Sequence, residues 1–327
     1  MANLVRALYR AACVPGAPAP YDRVTLKVHY PAAYQGSEAE RNSGLLPAAG
    51  DAAPYPVVIL LPGINLGAEG SGWLCQQLAE AGFVTVAVTM ISEEMPGYIS
   101  ITPGLRMDRL TPEGFGSGPS CQLLAPVLTC LQSLQDDSVL AGLLDLDRLV
   151  LAGHSAGGTA ALINADPRWL PGLCAVFTYG AHTGAATALG WPEQTLLPMP
   201  AALPTLLLGG DRDGVIAASG HRYGGREADP IHSLERTFVD AVREEDGNAY
   251  LCILEGANHF SFAHPVDGTT GRDFLDWDTG ADPAVTRQRI AELIVAFLGA
   301  SVHADPGAAA ALRTLLQADW LRLVRTK

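Results

Sequence analysis

The fold of this chain is decided by the stretch LVLAGHSAGGTAALI, residues 149–163. Its beginning, Leu149 to Ala152, is an apolar run of strand length, and its end combines the small and aliphatic side chains typical of a buried helix. Ser155 lies between Gly153 and Gly157. Because glycine has no side chain, strand and helix can approach closely here, and the serine hydroxyl is presented at the carboxyl end of the strand. The flanking pattern therefore predicts a strand, a sharp turn and a helix in place of an ordinary glycine-rich turn.

Other apolar runs of strand length repeat along the chain on both sides of this turn. The amphipathic segment 73–79 separates the first two runs, which indicates a parallel, right-handed crossover. Continuous apolar runs are typical of strands that helices cover on both faces. We therefore predict an α/β fold with a mostly parallel central sheet and helices on both faces. The predicted strands lie at residues 56–61, 83–88, 173–179, 204–208 and 249–254.

Composition limits the class of protein and of partner. The chain has 327 residues, of which 48% are hydrophobic and 17% are charged, enough for one large core. Its formal net charge of −13 disfavours nucleic acid as a partner, because the protein's field would repel a polyanion. A neutral, apolar small molecule fits this charge better.

Cysteine usage and hydropathy suggest a compartment. The six cysteines are scattered without a C-x-x-C pair and mostly lie in apolar runs, which is typical of reduced core residues and not of disulfides or a zinc site. We find neither a signal-peptide pattern nor an apolar run long enough to span a bilayer, and no metal site is expected. The sequence predicts a cytoplasmic protein.

The chain divides into a large central domain and two shorter ends. Residues 1–20 are predicted to form an N-terminal arm, and residues 21–300 the α/β domain. Within it, residues 91–120 mix proline and glycine with apolar side chains, so we expect an apolar, lid-like loop that either faces a substrate or packs on the surface. Residues 301–327 are predicted to form an amphipathic helix. Its apolar stripe suits packing on the domain or contact with a membrane surface.

A serine nucleophile needs a base to remove its proton and an acid to orient that base. Where the serine lies on a strand-turn-helix of this kind, the acid and the base follow the carboxyl ends of later strands, so the order along the chain is Ser, acid, His. Asp211 and Asp213 both follow the run at 204–208, and we choose Asp213 because Asp211 lies at the strand exit and is placed to brace the turn. His259 follows the last strand directly and is the predicted base, with His264 as the substitute.

The remaining site predictions concern hydrogen-bond donors and neighbouring histidines. An oxyanion needs backbone donors after the nucleophile and in the loop after an early strand. Ala156 fits the first position, and Ile64 fits the second, with Asn65 as the alternative. His154 is expected to be buried in a packing or hydrogen-bonding role, and His182 either lines the pocket or is structural.

Four short motifs together resemble the branch of the α/β-hydrolase superfamily that contains cutinase-like polyester hydrolases, platelet-activating-factor acetylhydrolases, dienelactone hydrolases and chlorophyllases. They are PGI at 62–64, GHSAGG at 153–158, GDRDGVI at 210–216 and GANHF at 256–260. The resemblance covers about residues 55–300. It implies an α/β-hydrolase fold and cofactor-independent hydrolysis of a carboxylic ester by Ser155, Asp213 and His259, with Ile64 and Ala156 as oxyanion donors.

The chain also departs from that branch. The polyester hydrolases are typically secreted and carry disulfides, and this sequence shows neither sign. The loop at 91–120 and the residues after 300 lie outside the family core. These departures favour an intracellular lipid-like or chlorophyll-type ester over a polymer. The alternatives are a polyester or platelet-activating-factor-type lipid esterase, a serine amidase or peptidase, and a non-catalytic binding protein on the same fold.

Overall fold

A computed structural model describes residues 4–95, 97–225, 229–243, 247–266, 268 and 273–327. Within these residues the strands form one mixed sheet in the order β1-β2-β4-β3-β6-β7-β8-β9-β10, with β5 paired to β4 alone. The strands are β1 Leu4–Cys13, β2 Arg23–Ala32, β3 Tyr55–Leu61, β4 Val84–Met95, β5 Tyr98–Ile101, β6 Leu144–His154, β7 Leu173–Tyr179, β8 Thr205–Gly210, β9 Ala249–Leu254 and β10 Leu321–Thr326. The helices are α1 Glu38–Ser43, α2 Gly72–Glu80, α3 Leu124–Asp136, α4 Ala156–Ile163, α5 Gly214–Ser219, α6 Pro230–Arg236, α7 Pro283–Ser301 and α8 Pro306–Leu315.

The middle of the sheet is parallel and its edges are antiparallel. Strands β4, β3, β6, β7, β8 and β9 run in one direction. Strands β1, β2 and β10 each pair antiparallel to their neighbours. The carboxyl ends of the six parallel strands therefore meet at one edge of the sheet, where α/β folds bind their ligands.

Helices cover both faces of this sheet, as predicted. Strand β3 shows why its sequence is apolar throughout: Ile59 packs into the core on one face, and Val58 and Leu60 pack into the core on the other. Helices α3, α4 and α6 contribute to the first core, and α2, α7 and α8 to the second. The α/β class with a mostly parallel sheet is confirmed.

The N-terminal arm predicted over residues 1–20 is wrong for Leu4–Cys13, whereas residues 14–20 are irregular as expected. Residues Leu4–Cys13 form β1, which pairs with β2 over ten successive residues and buries Leu8. Alanine, leucine and arginine carry no strong strand propensity. The strand forms because β2 offers a long open edge, so tertiary pairing overrides local preference.

The C-terminal helix predicted over residues 301–327 is also wrong in part. Helix α7 continues to Ser301, α8 ends at Leu315, and the last residues form β10 against β9. Leu312 is buried in the same core as α7. The first half of the predicted apolar stripe thus packs on the domain, and its second half is a strand because β9 has an open edge to fill.

The segment 91–120 is more ordered than the loop that the sequence predicted. Its first part extends β4 and turns back as β5, a short hairpin on which Ile91 and Ile99 are exposed; Pro96 lies outside the described residues. The end of the segment is fixed by the buried Asn164, whose Oδ1 accepts hydrogen bonds from the backbone N–H groups of Ser120 and Cys121.

In the described residues we find no helix with the length and apolarity needed to cross a bilayer.

Substitutions on α7 test the packing between this helix and the sheet. Phe297 is fully buried and lies edge-on to Tyr250, with ring centroids 6.2 Å apart. Phe297→Ala should lower the free energy of unfolding by about 3–5 kcal/mol, because it removes apolar burial and leaves a cavity. Val285→Ala, on the same helix but 44% exposed, should change it by no more than about 0.5 kcal/mol. Urea unfolding measures both, and equal effects would contradict this packing.

Candidate active site

The turn between β6 and α4 holds Ser155 in a strained conformation. Its φ is +56° and its ψ is −125°, which is uncommon for a residue with a side chain. A Cβ on Gly157 would collide with the carbonyl of Leu61, and one on Gly153 would collide with the backbone of Gly157. The backbone N–H of Ser155 donates to the carbonyl oxygen of Tyr179 at 3.0 Å. The two glycines therefore allow the close approach that the sequence predicted.

The acid and the base predicted from the sequence lie in direct contact. Oδ2 of Asp213 is 2.7 Å from Nδ1 of His259, and both side chains are buried. Oδ1 of the same carboxylate accepts the N–H of Ile216 at 2.8 Å and caps α5. A carboxylate only accepts, so the imidazole donates from Nδ1 and its lone pair is on Nε2. This tautomer suits a general base.

The two alternatives are placed differently. Oδ1 of Asp211 accepts the N–H of Gly256 at 2.7 Å, so this side chain braces the loop before His259. His264 is exposed, and its backbone N–H donates to the carbonyl of Gly70. The structure brings Asp213 and His259 together and gives Asp211 the bracing contact expected at a strand exit.

Ser155 and His259 line a single cavity of about 490 Å³. Ile64 and Ala156, the predicted oxyanion donors, line it too. The alternative donor, the backbone N–H of Asn65, instead donates to the carbonyl of Ile101 at 2.9 Å. The cavity wall is largely apolar, and two of its residues come from the segment 91–120. Further wall residues are Tyr98, Met107, Leu189, Val215 and Ile216.

His154 is hydrogen-bonded to the backbone of the predicted base, His259. Its Nε2 lies 3.0 Å from the carbonyl oxygen of His259, and because a carbonyl only accepts, this nitrogen carries the proton. The ring stacks on Phe262 with centroids 5.1 Å apart and planes 4° apart. Burial lowers the pKa of His154 well below its usual value. His154 thus has the buried hydrogen-bonding role that the sequence indicated.

His182 forms part of the cavity wall and also borders an adjoining cavity of about 300 Å³. Its Nδ1 accepts the N–H of Gly184 at 3.0 Å, which places its proton on Nε2. Its ring meets that of Tyr223 edge to face at 4.6 Å. Burial lowers the pKa of His182 to about 4, so this imidazole is uncharged at neutral pH. His182 therefore combines the lining and structural roles that the sequence left open.

Sequence reasoning missed one side chain near the acid and the base. Asp276 accepts hydrogen bonds from the backbone N–H groups of Gly214 and Phe260, at 2.9 and 3.1 Å. Burial, together with repulsion from Asp213, raises the pKa of this carboxyl group. Asp276 follows the last core strand by more than 20 positions and belongs to no motif, so no sequence signal singled it out.

Metal-ligating and thiol side chains are dispersed over the described residues. There, no three His, Cys, Asp or Glu side chains are grouped so that they could hold a metal ion. All six cysteines lie in the described ranges and are free thiols. Three of them are buried, and burial raises the pKa of Cys75 to about 11 and those of Cys121 and Cys252 to about 12. Cys13 is exposed, in contrast to the core position expected for these residues.

Comparison with known proteins finds a distant similarity to a hydrolase. No family model matches the chain. The chain is 28% identical, over 207 residues, to a bis(hydroxyethyl) terephthalate hydrolase of Streptomyces coelicolor. The aligned residues cover 63% of this chain and 51% of that relative, so the chain spans about half the length of the protein it matches. This similarity fits the α/β-hydrolase fold that the sheet order and the turn at Ser155 define.

The uncharged state of His182 predicts a pH dependence of stability. Its folded pKa is about 4, whereas an unfolded histidine titrates near 6.5. Between these values the unfolded chain binds more protons, so stability falls as the pH drops from 6.5 to 4, with up to about 1.4 kcal/mol per pH unit from one such group. His182→Gln retains an oxygen to accept the Gly184 N–H but cannot titrate, so denaturant unfolding should show a shallower slope.

Tyr223→Phe is the matched control for this measurement, because it alters the ring packed on His182 and keeps the imidazole. It should retain the wild-type slope. Identical slopes for wild type and His182→Gln would contradict burial of a neutral imidazole at this position.

Proposed function

We propose that this chain is a serine carboxylesterase that hydrolyses neutral, apolar esters through an acyl-enzyme. The observation that carries the proposal is the pairing of Asp213 with His259 at 2.7 Å, in a cavity that both His259 and Ser155 line. A buried acid and base beside a serine held at positive φ are the parts that activate a hydroxyl.

The first half of the proposed reaction forms the acyl-enzyme. Nε2 of His259 removes the proton of the Ser155 hydroxyl while Oγ attacks the ester carbonyl carbon. Asp213 holds the imidazole through Nδ1–H and stabilises its positive charge. The negative charge on the former carbonyl oxygen is met by the backbone N–H groups of Ile64 and Ala156. When the intermediate collapses, the carbon–oxygen bond to the alcohol breaks and His259 gives its proton to that alcohol.

Water completes the cycle in the second half. His259 removes a proton from water as the water oxygen attacks the acyl carbon. The second intermediate expels Ser155 Oγ, which recovers a proton from His259, and the carboxylic acid leaves. No cofactor takes part in either half of this scheme, because every proton is carried by the imidazole.

The proposed substrate is an uncharged ester with an apolar acyl or alcohol part. Two features support this class: the largely apolar wall of the cavity and the net charge of −13, which disfavours anions. The similarity to a bis(hydroxyethyl) terephthalate hydrolase favours an aromatic ester as the first substrate to assay. A chlorophyllase-like reaction, from chlorophyll to chlorophyllide and phytol, is a narrower version that rests on the sequence resemblance alone.

The nucleophile is tested with nitrophenyl esters. Ser155→Ala should lower kcat/KM at least about 10³-fold, because the acyl-enzyme cannot form, and His259→Ala should act similarly. The control is Ser43→Ala, which removes an exposed hydroxyl that donates to the carbonyl of Ala39 within α1. It should keep most of the activity. Full turnover by Ser155→Ala would remove this residue from the mechanism.

The substrate class is tested by comparing three compounds with the wild-type protein. Bis(hydroxyethyl) terephthalate and long-chain nitrophenyl esters should be hydrolysed, since both are neutral esters with apolar parts. Formation of chlorophyllide from chlorophyll a would support the narrower reaction. Cleavage of an anilide at a rate equal to that of the matching ester would favour the amidase alternative.

A further inference from the structure

The segment 273–277 packs against the loops that carry the proposed acid and base. Gly214 follows Asp213 in the chain, and Phe260 follows His259. The backbone N–H of Gly214 donates to Oδ1 of Asp276 at 2.9 Å, and that of Phe260 donates to Oδ2 at 3.1 Å. One carboxylate therefore joins the residue after the acid to the residue after the base.

Two further contacts hold the segment in this place. Nδ2 of Asn258, the residue before the base, donates to the carbonyl of Trp277 at 2.8 Å. At Gly214 a Cβ would lie 2.6 Å from Cδ1 and 2.8 Å from the backbone nitrogen of Trp277, so only glycine allows this approach. The contacts lie on both sides of His259 in the chain, and they fix its loop relative to α5.

The charge of Asp276 also bears on the acid and base. Burial disfavours the ionised form, repulsion from Asp213 does the same, and attraction to the imidazole of His259 favours it. By reciprocity, an ionised Asp276 stabilises the protonated imidazole that forms when Ser155 is activated. The charged groups that act on this carboxylate are thus Asp213 and His259, the two that the proposed reaction uses.

We propose that Asp276 is a positioning residue for the hydrolysis: its carboxylate holds the loops of Asp213 and His259 in register and stabilises the imidazolium. This inference rests on the proposed function. Asp276 is not among the described residues that line the cavity, so it acts through the two residues that it joins.

Asp276→Asn tests the proposal with almost no change of shape. Its amide group presents a nitrogen to one of the two backbone donors, so one hydrogen bond is lost together with the charge. We expect kcat on a nitrophenyl ester to fall by roughly 10- to 100-fold, because misplacement by a fraction of an ångström is costly, with KM changed less than about twofold. The acid limb of the kcat/KM profile should move to lower pH, because the imidazolium loses a stabilising charge.

Two other variants separate charge, geometry and general stability. Asp278→Asn removes a neighbouring exposed carboxylate and should match the wild type in kcat and in the pH profile. Asp276→Glu keeps the charge but displaces its oxygens, so the acid limb should return toward the wild-type position while kcat stays reduced. Wild-type kcat and an unmoved acid limb in Asp276→Asn would overturn the proposal. So would a loss of kcat that only parallels a lower melting temperature.

A readout without substrate keeps this test separate from the proposed function. Proton NMR follows the titration of the His259 ring, assigned by its absence in His259→Ala. We expect the pKa of this imidazole to be lower in Asp276→Asn than in the wild type and unchanged in Asp278→Asn. An inactive wild type would contradict the esterase proposal alone, whereas equal titration in both variants would contradict the role of Asp276.

Discussion

Backbone packs directly against backbone where β6 turns into α4, and the rest of the site depends on this contact. Gly157 lies on the carbonyl of Leu61 at the end of β3, and Gly153 lies on Gly157 itself. Neither position accepts a Cβ, so the turn is tight enough to force Ser155 to a φ of +56°. Strand β6 is hydrogen-bonded to the parallel strands β3 and β7 on its two sides. This pairing holds the backbone at Ser155 in its strained conformation and fixes the position of its hydroxyl.

Burial and hydrogen bonding keep the two histidines near the acid and base pair uncharged, while Arg222 brings a positive charge to the cavity wall. His154 and His182 each have one ring nitrogen assigned by a backbone partner, and burial lowers the pKa of both. Neutral imidazoles beside His259 do not compete with it for a proton at neutral pH. A site built in this way concentrates its proton chemistry on a single ring, which is what a general base requires.

The sequence predicted what is encoded locally and missed what depends on distant partners. The turn at Ser155 and the loops of Asp213 and His259 each follow an apolar strand, so their meeting at one sheet edge could be inferred from chain order. The conformation of the chain ends could not be inferred from the sequence. A segment such as Leu4–Cys13 becomes a strand because it pairs with the open edge of a neighbouring strand. The apolar residues after Leu312 have helical spacing, yet the last of them form β10 because they pair with β9. No sequence pattern identified Asp276, because its role depends on hydrogen bonds from the backbone of Gly214 and Phe260, which lie elsewhere in the chain.

The two outermost strands have a consequence for the solution behaviour of the protein. An open sheet exposes unpaired backbone groups at both borders, and such borders invite another molecule to add its own strand. Here β1 carries the exposed Arg6 and Arg10, and β10 carries the exposed Arg322 and Arg325. Positive charges along a border disfavour its pairing with the same border of a second copy, although Arg325 is also ion-paired with Glu235.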